Sequence, residues 1–172
     1  GTHPVAAPYF VLNDEDGCEA VRAVYGDEPT SIDIEFPGED EEIVASHWLR
    51  SYSSTWGLVC QGDRRTAIRK IGVDANGALI GVAAPSDVPP VATRDAKAIT
   101  HQRVACPCPR LESGDCKETM YLRFLMPDVV GLGVWQVTTG SRNSILNIQG
   151  MFGILRGMFG RISRIPLKLE LL

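Results

Sequence analysis

The stretch Leu58-Val59-Cys60-Gln61-Gly62-Asp63-Arg64-Arg65-Thr66-Ala67-Ile68-Arg69-Lys70-Ile71-Gly72-Val73 decides how this chain is read. Leu58–Cys60 and Thr66–Val73 are rich in aliphatic and β-branched residues and flank a Gly62-Asp63 turn, so they predict two strands. Just downstream, Ala75-Asn76-Gly77 predicts a further hairpin, with Ala78–Ala83 as its returning strand. Asn-Gly favours the type I′ turn, whose twist matches that of the flanking strands. Connections this short join antiparallel neighbours.

Working outward, Ile32, Ile34 and Phe36 alternate with Asp33 and Glu35, the pattern of a half-buried strand. Tyr9–Leu12 is a short apolar run that reads as a first strand. Cys18, Val21, Val24 and Tyr25 share one helical face ahead of Gly26, a helix stop. The acids Glu39-Asp40-Glu41-Glu42 complement the positive end of a helix dipole and predict a helix reaching about Tyr52. Met120, Leu122, Phe124 and Met126 alternate as a strand, and Val134–Thr139 forms another. Residues 142–160 make the longest helix, and Leu167, Leu169 and Leu171 line one face of a closing strand. Residues 85–118, with their prolines and cysteines, read as an extended loop. The fold class is therefore α+β, with mostly antiparallel sheet or sheets packed against three helices and a Pro/Cys-rich loop inserted.

The 172 residues are 44% hydrophobic and 22% charged, which excludes disorder, collagen-like repeats and coiled coil for the whole chain. That length suits one domain over residues 1–172. Residues 1–55 carry 12 acidic and 2 basic side chains and the remainder 9 and 15, so a net −4 conceals halves of −10 and +6. Such a split predicts faces of opposite sign. No apolar run approaches the ~18 residues of a membrane span, so no membrane association is expected. The start, Gly1-Thr2-His3-Pro4, lacks an initiator Met and the features of a secretory signal, and it reads as the interior of a longer chain.

Five cysteines, an odd number without a secretory signal, point to a reducing compartment. Cys106-Pro107-Cys108 precedes Cys116, and Cys60 ends a predicted strand upstream. Cys60, Cys106, Cys108 and Cys116 would complete a tetrahedral zinc site within the 85–118 loop, with His101 able to replace one thiol. Four protein ligands leave no open position for water, so such a zinc would be structural. The competing reading is a set of small residues around a loop without metal. Arg64, Arg65, Arg69 and Lys70 form a basic patch, a candidate nucleic-acid contact whose alternative is an ordinary solvated strand face. Aromatic residues do not interleave it.

Gly150, Gly153, Gly157 and Gly160 fall within an arc of about 80° on the long helix. The favoured reading is a core helix whose glycines let a sheet approach closely, and the alternative is a docked partner helix. No phosphate-cradling loop, His-Glu-x-x-His motif or serine elbow is present in the sequence. A zinc hydrolase, which needs an open metal position, ranks last among the readings.

Several strings, in order, resemble the recombination directionality factor family, which accompanies large serine integrases of phages and related mobile elements. They are Tyr9-Phe10-Val11-Leu12, Tyr25-Gly26-Asp27-Glu28-Pro29 and Ile32-Asp33-Ile34-Glu35-Phe36-Pro37 in the first half. Trp48-Leu49-Arg50-Ser51-Tyr52, Leu132 through Thr139, Ser141-Arg142-Asn143-Ser144 and Ile165-Pro166-Leu167-Lys168-Leu169 follow. The resemblance implies a non-enzymatic factor acting in the cytoplasm of a host cell. It would bind a large serine integrase, reposition its coiled-coil subdomain, turn it from integration to excision, and meet DNA only through that complex. The part of the chain that contacts the integrase would be the 142–160 helix or the acidic 39–42 segment. The alternative function is a zinc-containing nucleic-acid-binding accessory module.

Overall fold

The computed structural model describes residues 7–11, 15–80, 92, 94–108, 111–131 and 133–171. The chain forms two compact units, residues 1–45, 122–137 and 149–172 in the first and 46–121 and 138–148 in the second. Its architecture is α+β with antiparallel sheets and three helices, as the sequence predicts.

In the first unit, α1 (Glu15–Tyr25) buries Cys18 and Val21 and ends where Gly26 adopts φ 82°. The Gly26 amide donates to the Arg22 carbonyl at 2.9 Å, closing the last turn in the left-handed conformation that glycine adopts without steric cost. β1 (Ser31–Ile34) pairs antiparallel with β8 (Leu167–Glu170), from Ser31↔Glu170 to Ile34↔Leu167. Period-2 alternation turns Ile32 and Ile34 inward beside Phe36, whose ring meets Phe152 with centroids 5.3 Å apart. Phe152 belongs to α3 (Arg142–Phe159), which matches the predicted 142–160 helix. Ser141 Oγ accepts the Ser144 amide at 3.3 Å, a cap on its first turn.

A six-stranded sheet, most of whose residues belong to the second unit, has the order β5-β4-β3-β2-β6-β7. Its strands are β2 (Ala45–Ser53), β3 (Gly57–Gly62), β4 (Thr66–Val73), β5 (Ala98–Ala105), β6 (Lys117–Phe124) and β7 (Trp135–Thr139). β3 and β4 form the predicted hairpin, registered Cys60↔Arg69, Gln61↔Ile68 and Gly62↔Ala67. In its turn the Asp63 carboxylate accepts the amides of Arg65 and Thr66, each at 2.8 Å. Arg64 there has φ 74°. β4 and β5 stay in register over eight pairs, from Thr66↔Ala105 to Val73↔Ala98.

Three expectations are corrected. The helix expected to reach Tyr52 is only α2 (Glu41–Val44), capped by Asp40, whose carboxylate accepts the Glu42 amide at 2.9 Å. β2 follows at once, because Leu49 through Ser53 find hydrogen-bond partners along β3, and sheet pairing overrides an ambiguous apolar spacing. Within the 85–118 stretch read as loop lies β5, an edge strand whose exposure leaves no alternation to read. No strand forms over Tyr9–Val11, although Phe10 donates its amide to the Pro29 carbonyl at 2.8 Å; Leu12 lies outside the described residues. After β4, the turn is organised by Asp74, whose carboxylate accepts the amides of Asn76 (2.8 Å) and Ala78 (2.9 Å). The expected returning strand begins with a Val73↔Leu79 bridge, and residues 81–83 lie outside the described residues.

Candidate functional site

Strand register brings the site together in two cross-strand rows of the second unit. Ser51, Cys60 and Arg69 are partners across β2, β3 and β4, and Leu49, Gly62 and Ala67 form the adjoining row. Partners in one row point to one face of the sheet. Cys106, Cys108, Leu111 and Cys116, from the segment between β5 and β6, complete the lining of a small cavity over that face. All four cysteines expected to share a site therefore border one space. The cavity has a volume of about 10 Å³.

The small residues in the second row have a steric reason. A Cβ on Gly62 would lie 2.5 Å from Cys106 Sγ, 2.8 Å from Ala67 Cβ and 2.9 Å from the Thr66 carbonyl oxygen. Only glycine lets the sulfur sit against β3. None of the five cysteines forms a disulfide. Burial pushes the Cys106 thiol up, against the opposing effect of a backbone hydrogen bond at Arg64.

Arg69 is the surprise of this cavity. It is 1% exposed, and its Nη2 donates to Cys108 Sγ at 3.2 Å. Burial opposes its charge, while hydrogen bonds to the sulfurs of Cys60 and Cys108 outweigh that opposition and hold its pKa above the ordinary arginine value. As the side chains stand, no three His, Cys, Asp or Glu among the described residues are grouped so as to hold a metal ion. His101 is exposed on β5, opposite Lys70, and does not line the cavity.

The basic patch is correspondingly altered. Arg69 leaves it, because alternation along β4 places Arg69 with buried Ala67 and Ile71 and turns Ile68, 48% exposed, to the other side. Arg64 and Arg65 are exposed in the hairpin turn, and Lys70 is half-buried with its ammonium donating to the Trp56 carbonyl at 3.2 Å. Arg64 also lies 3.3 Å from His47 Nδ1. Burial and the Arg64 charge lower the pKa of His47, against the opposing pull of Glu118. The sequence reading missed the role of Arg69 by grouping it by charge; the period-2 pattern of the strand was the signal that separates it from its neighbours.

A second surface lies on α3 in the first unit. Phe152 and Leu155 are buried, yet Ile154 is 61% and Met158 70% exposed. Gly150, Gly153 and Gly157 are exposed, and a Cβ at each would meet nothing within 4 Å. The reading of a core helix with glycines under a sheet is thus reversed: the glycines open outward. Gly160 differs, since it ends the helix at φ 69° and donates its amide to Arg156. The acidic segment, in contrast, is engaged internally. Glu39 accepts the amides of Ile162 (3.1 Å) and Ser163 (2.9 Å) and the Ser163 hydroxyl. Arg156 Nε donates to Glu41 Oε1 at 2.7 Å and Nη2 to the Glu39 carbonyl at 2.7 Å.

An antiparallel α+β protein with a thiol-lined cavity and an outward-facing glycine stripe is the class that fold and site define. The family model described as Gp3-like, recombination directionality factor-like, matches residues 1–172, and the chain belongs to this family. Its role lies in DNA recombination. No curated protein and no solved structure matches the chain. Among the described residues, no helix is long and apolar enough to cross a membrane.

Proposed function

We propose that this chain is an accessory recombination directionality factor, one that binds a large serine integrase and turns it from integration to excision. It works by repositioning the integrase's coiled-coil subdomain, in the cytoplasm of a host cell, and reaches DNA through the integrase complex. The observation that carries this reading is the outer face of α3. Gly150, Gly153 and Gly157 are spaced by three and four residues, the spacing of a heptad seam, with exposed Ile154 and Met158 beside them. Without side chains at these three positions another helix can approach closely, and exposed Ile154 and Met158 offer apolar contacts. A helix of a coiled coil fits such a surface, with Met adapting to its ridges. The acidic segment is the weaker candidate, because Glu39 and Glu41 are committed to Arg156 and to backbone amides.

A factor that only binds would not redirect a reaction. It must prefer one integrase arrangement, and moving a population from 1:99 to 99:1 takes about 5.5 kcal/mol of preference. The test is recombination between excision-type sites by the cognate integrase, with and without this protein. Excision should appear only when the protein is present, and an unchanged direction would overturn the proposal. The Gly153→Ala variant separates docking from folding. Alanine gains about 1 kcal/mol of helix propensity over glycine, and its methyl meets nothing in the unbound chain. The variant should melt higher yet stimulate excision less; equal stimulation would move the docking face elsewhere.

A further inference from the structure

We infer that Cys60, Cys106, Cys108 and Cys116 together bind one Zn²⁺ as a structural tetrathiolate that fastens segment 106–116 to the β3–β4 face, with Arg69 as its neighbouring cation.

Four separate observations meet here. The first is placement: these cysteines come from β3 and from the segment between β5 and β6, and all border one cavity. The fifth, Cys18, is buried in α1 of the other unit. The second is size. A cavity of about 10 Å³ is near the lower limit for one water molecule, so it excludes an organic ligand and admits an ion.

The third is charge. A guanidinium out of water costs several kcal/mol unless negative charge compensates it, and cysteine sulfur is among the partners of Arg69. Neutral thiols compensate weakly, whereas four thiolates around Zn²⁺ leave two negative charges in excess, of which Arg69 neutralises one. An N–H donated to a zinc-bound sulfur is the kind of outer contact that orients metal ligands. The fourth is the segment itself. Of its described residues none is fully buried, and Glu112, Ser113, Gly114 and Asp115 are exposed. Leu111 is its one half-buried aliphatic side chain among the described residues, too little apolar surface to hold a loop in place.

The chemistry balances without an outside reactant. Each thiol releases its proton to solvent, each sulfur gives a lone pair to zinc, and no electron changes owner. Pairing the same cysteines as disulfides would instead require an oxidant. As the side chains stand, no three of these sulfurs are grouped to hold a metal, so binding has to draw them together to Zn–S distances of about 2.3 Å. Arg69 then moves from a hydrogen bond with a thiol to one with a thiolate.

The test is metal content of the full chain purified under reducing conditions with zinc supplied, by elemental analysis and native mass spectrometry. One zinc per chain is expected. Replacement by cobalt should produce the visible bands of a tetrahedral thiolate site. Cys108→Ser and Cys116→Ser should lose the metal, and Cys18→Ala should keep it. Arg69→Met should weaken zinc by ~10–100-fold, as loss of an outer-shell partner does. A metal-free chain would overturn the inference. So would a mass two hydrogens light per cysteine pair, an octahedral cobalt spectrum, or zinc retained by both serine variants. If the serine variants fail to fold, the zinc stoichiometry and cobalt spectrum of the unaltered chain still decide. None of these readouts involves recombination, so the result stands apart from the proposal about integrase.

Discussion

Two irregular segments of this protein face the same physical problem and meet it with different chemistry. The corner at Glu39 lies in the first unit, and the cysteine segment 106–116 lies in the second. Each connects regular elements without a regular pattern of backbone hydrogen bonds. At the corner, one carboxylate collects two amides and a hydroxyl, while Arg156 balances its charge. Those charge-assisted bonds are complete with the atoms present. The cysteine segment instead gathers thiols around a buried arginine. Thiols are weak hydrogen-bond partners, and their strength as a set depends on becoming thiolates. The comparison teaches that a half-exposed corner can be held by polar bonds alone, whereas the thiol contacts over the small cavity are weaker holds, which is where the proposed zinc would act.

The largest effect that separates the two segments should come from a chelator. Zinc bound by thiolates carries folding free energy, on the order of 10 kcal/mol in small zinc domains. Chelation should therefore speed amide exchange in 106–116 strongly and leave 39–44 and 161–163 unchanged. Equal protection in both states would mean that the cysteine segment, like the corner, is complete without metal. A middle-sized effect should follow Gly62→Ala. Its methyl would sit 2.5 Å from Cys106 Sγ and 2.9 Å from a backbone oxygen, so overpacking should cost about 1–3 kcal/mol in a denaturation experiment. Loss of bound zinc in the same variant would tie that steric cost to the site.

The smallest effect belongs to the corner and to acid. The hydroxyl of Ser163, followed by the amides of Ile162 and Ser163, lowers the Glu39 pKa from 4.5 to about 2. A depressed carboxyl contributes stability above its unfolded value and loses it as pH falls through the folded one. The contribution of Glu39 should be full above pH 4.5 and fade towards pH 2. Melting temperatures of the unaltered protein and Glu39→Gln, both with chelator, should converge across that window. Parallel curves would remove Glu39 as the acid-sensitive group.

Much of the fold could be read from local pattern. The hairpin over β3 and β4, the alternation of β1 and the extent of α3 all follow from periods that neighbours in sequence carry. β2 could not be read, because Ile43, Val44, His47, Trp48 and Tyr52 fit a helix and only the distant β3 decides otherwise. β5 lies at a sheet edge with most of its residues exposed, so no alternation marks it. The cysteine set was legible from residue type, since few side chains gather around a loop in such number. Arg69 was hidden among like charges until its strand face was considered. The glycine stripe was visible as a stripe, but a helical wheel has no arrow: the side that meets the protein is settled by Phe152 and Leu155, not by the glycines.

The pairing of β4 with β5 has a consequence in time as well as in shape. β3 and β4 meet across a turn of a few residues, while β5 must wait for residues 74–97 to close before its eight pairs can form. Local pairs form sooner than those separated by long stretches of chain. Cys60 is thus expected to be in place early, in the β3–β4 hairpin, and Cys106 only when β5 has zipped down to Ala105. The cavity is completed among the last steps of folding, so its occupant would act as a lock that closes after the strands have found their order.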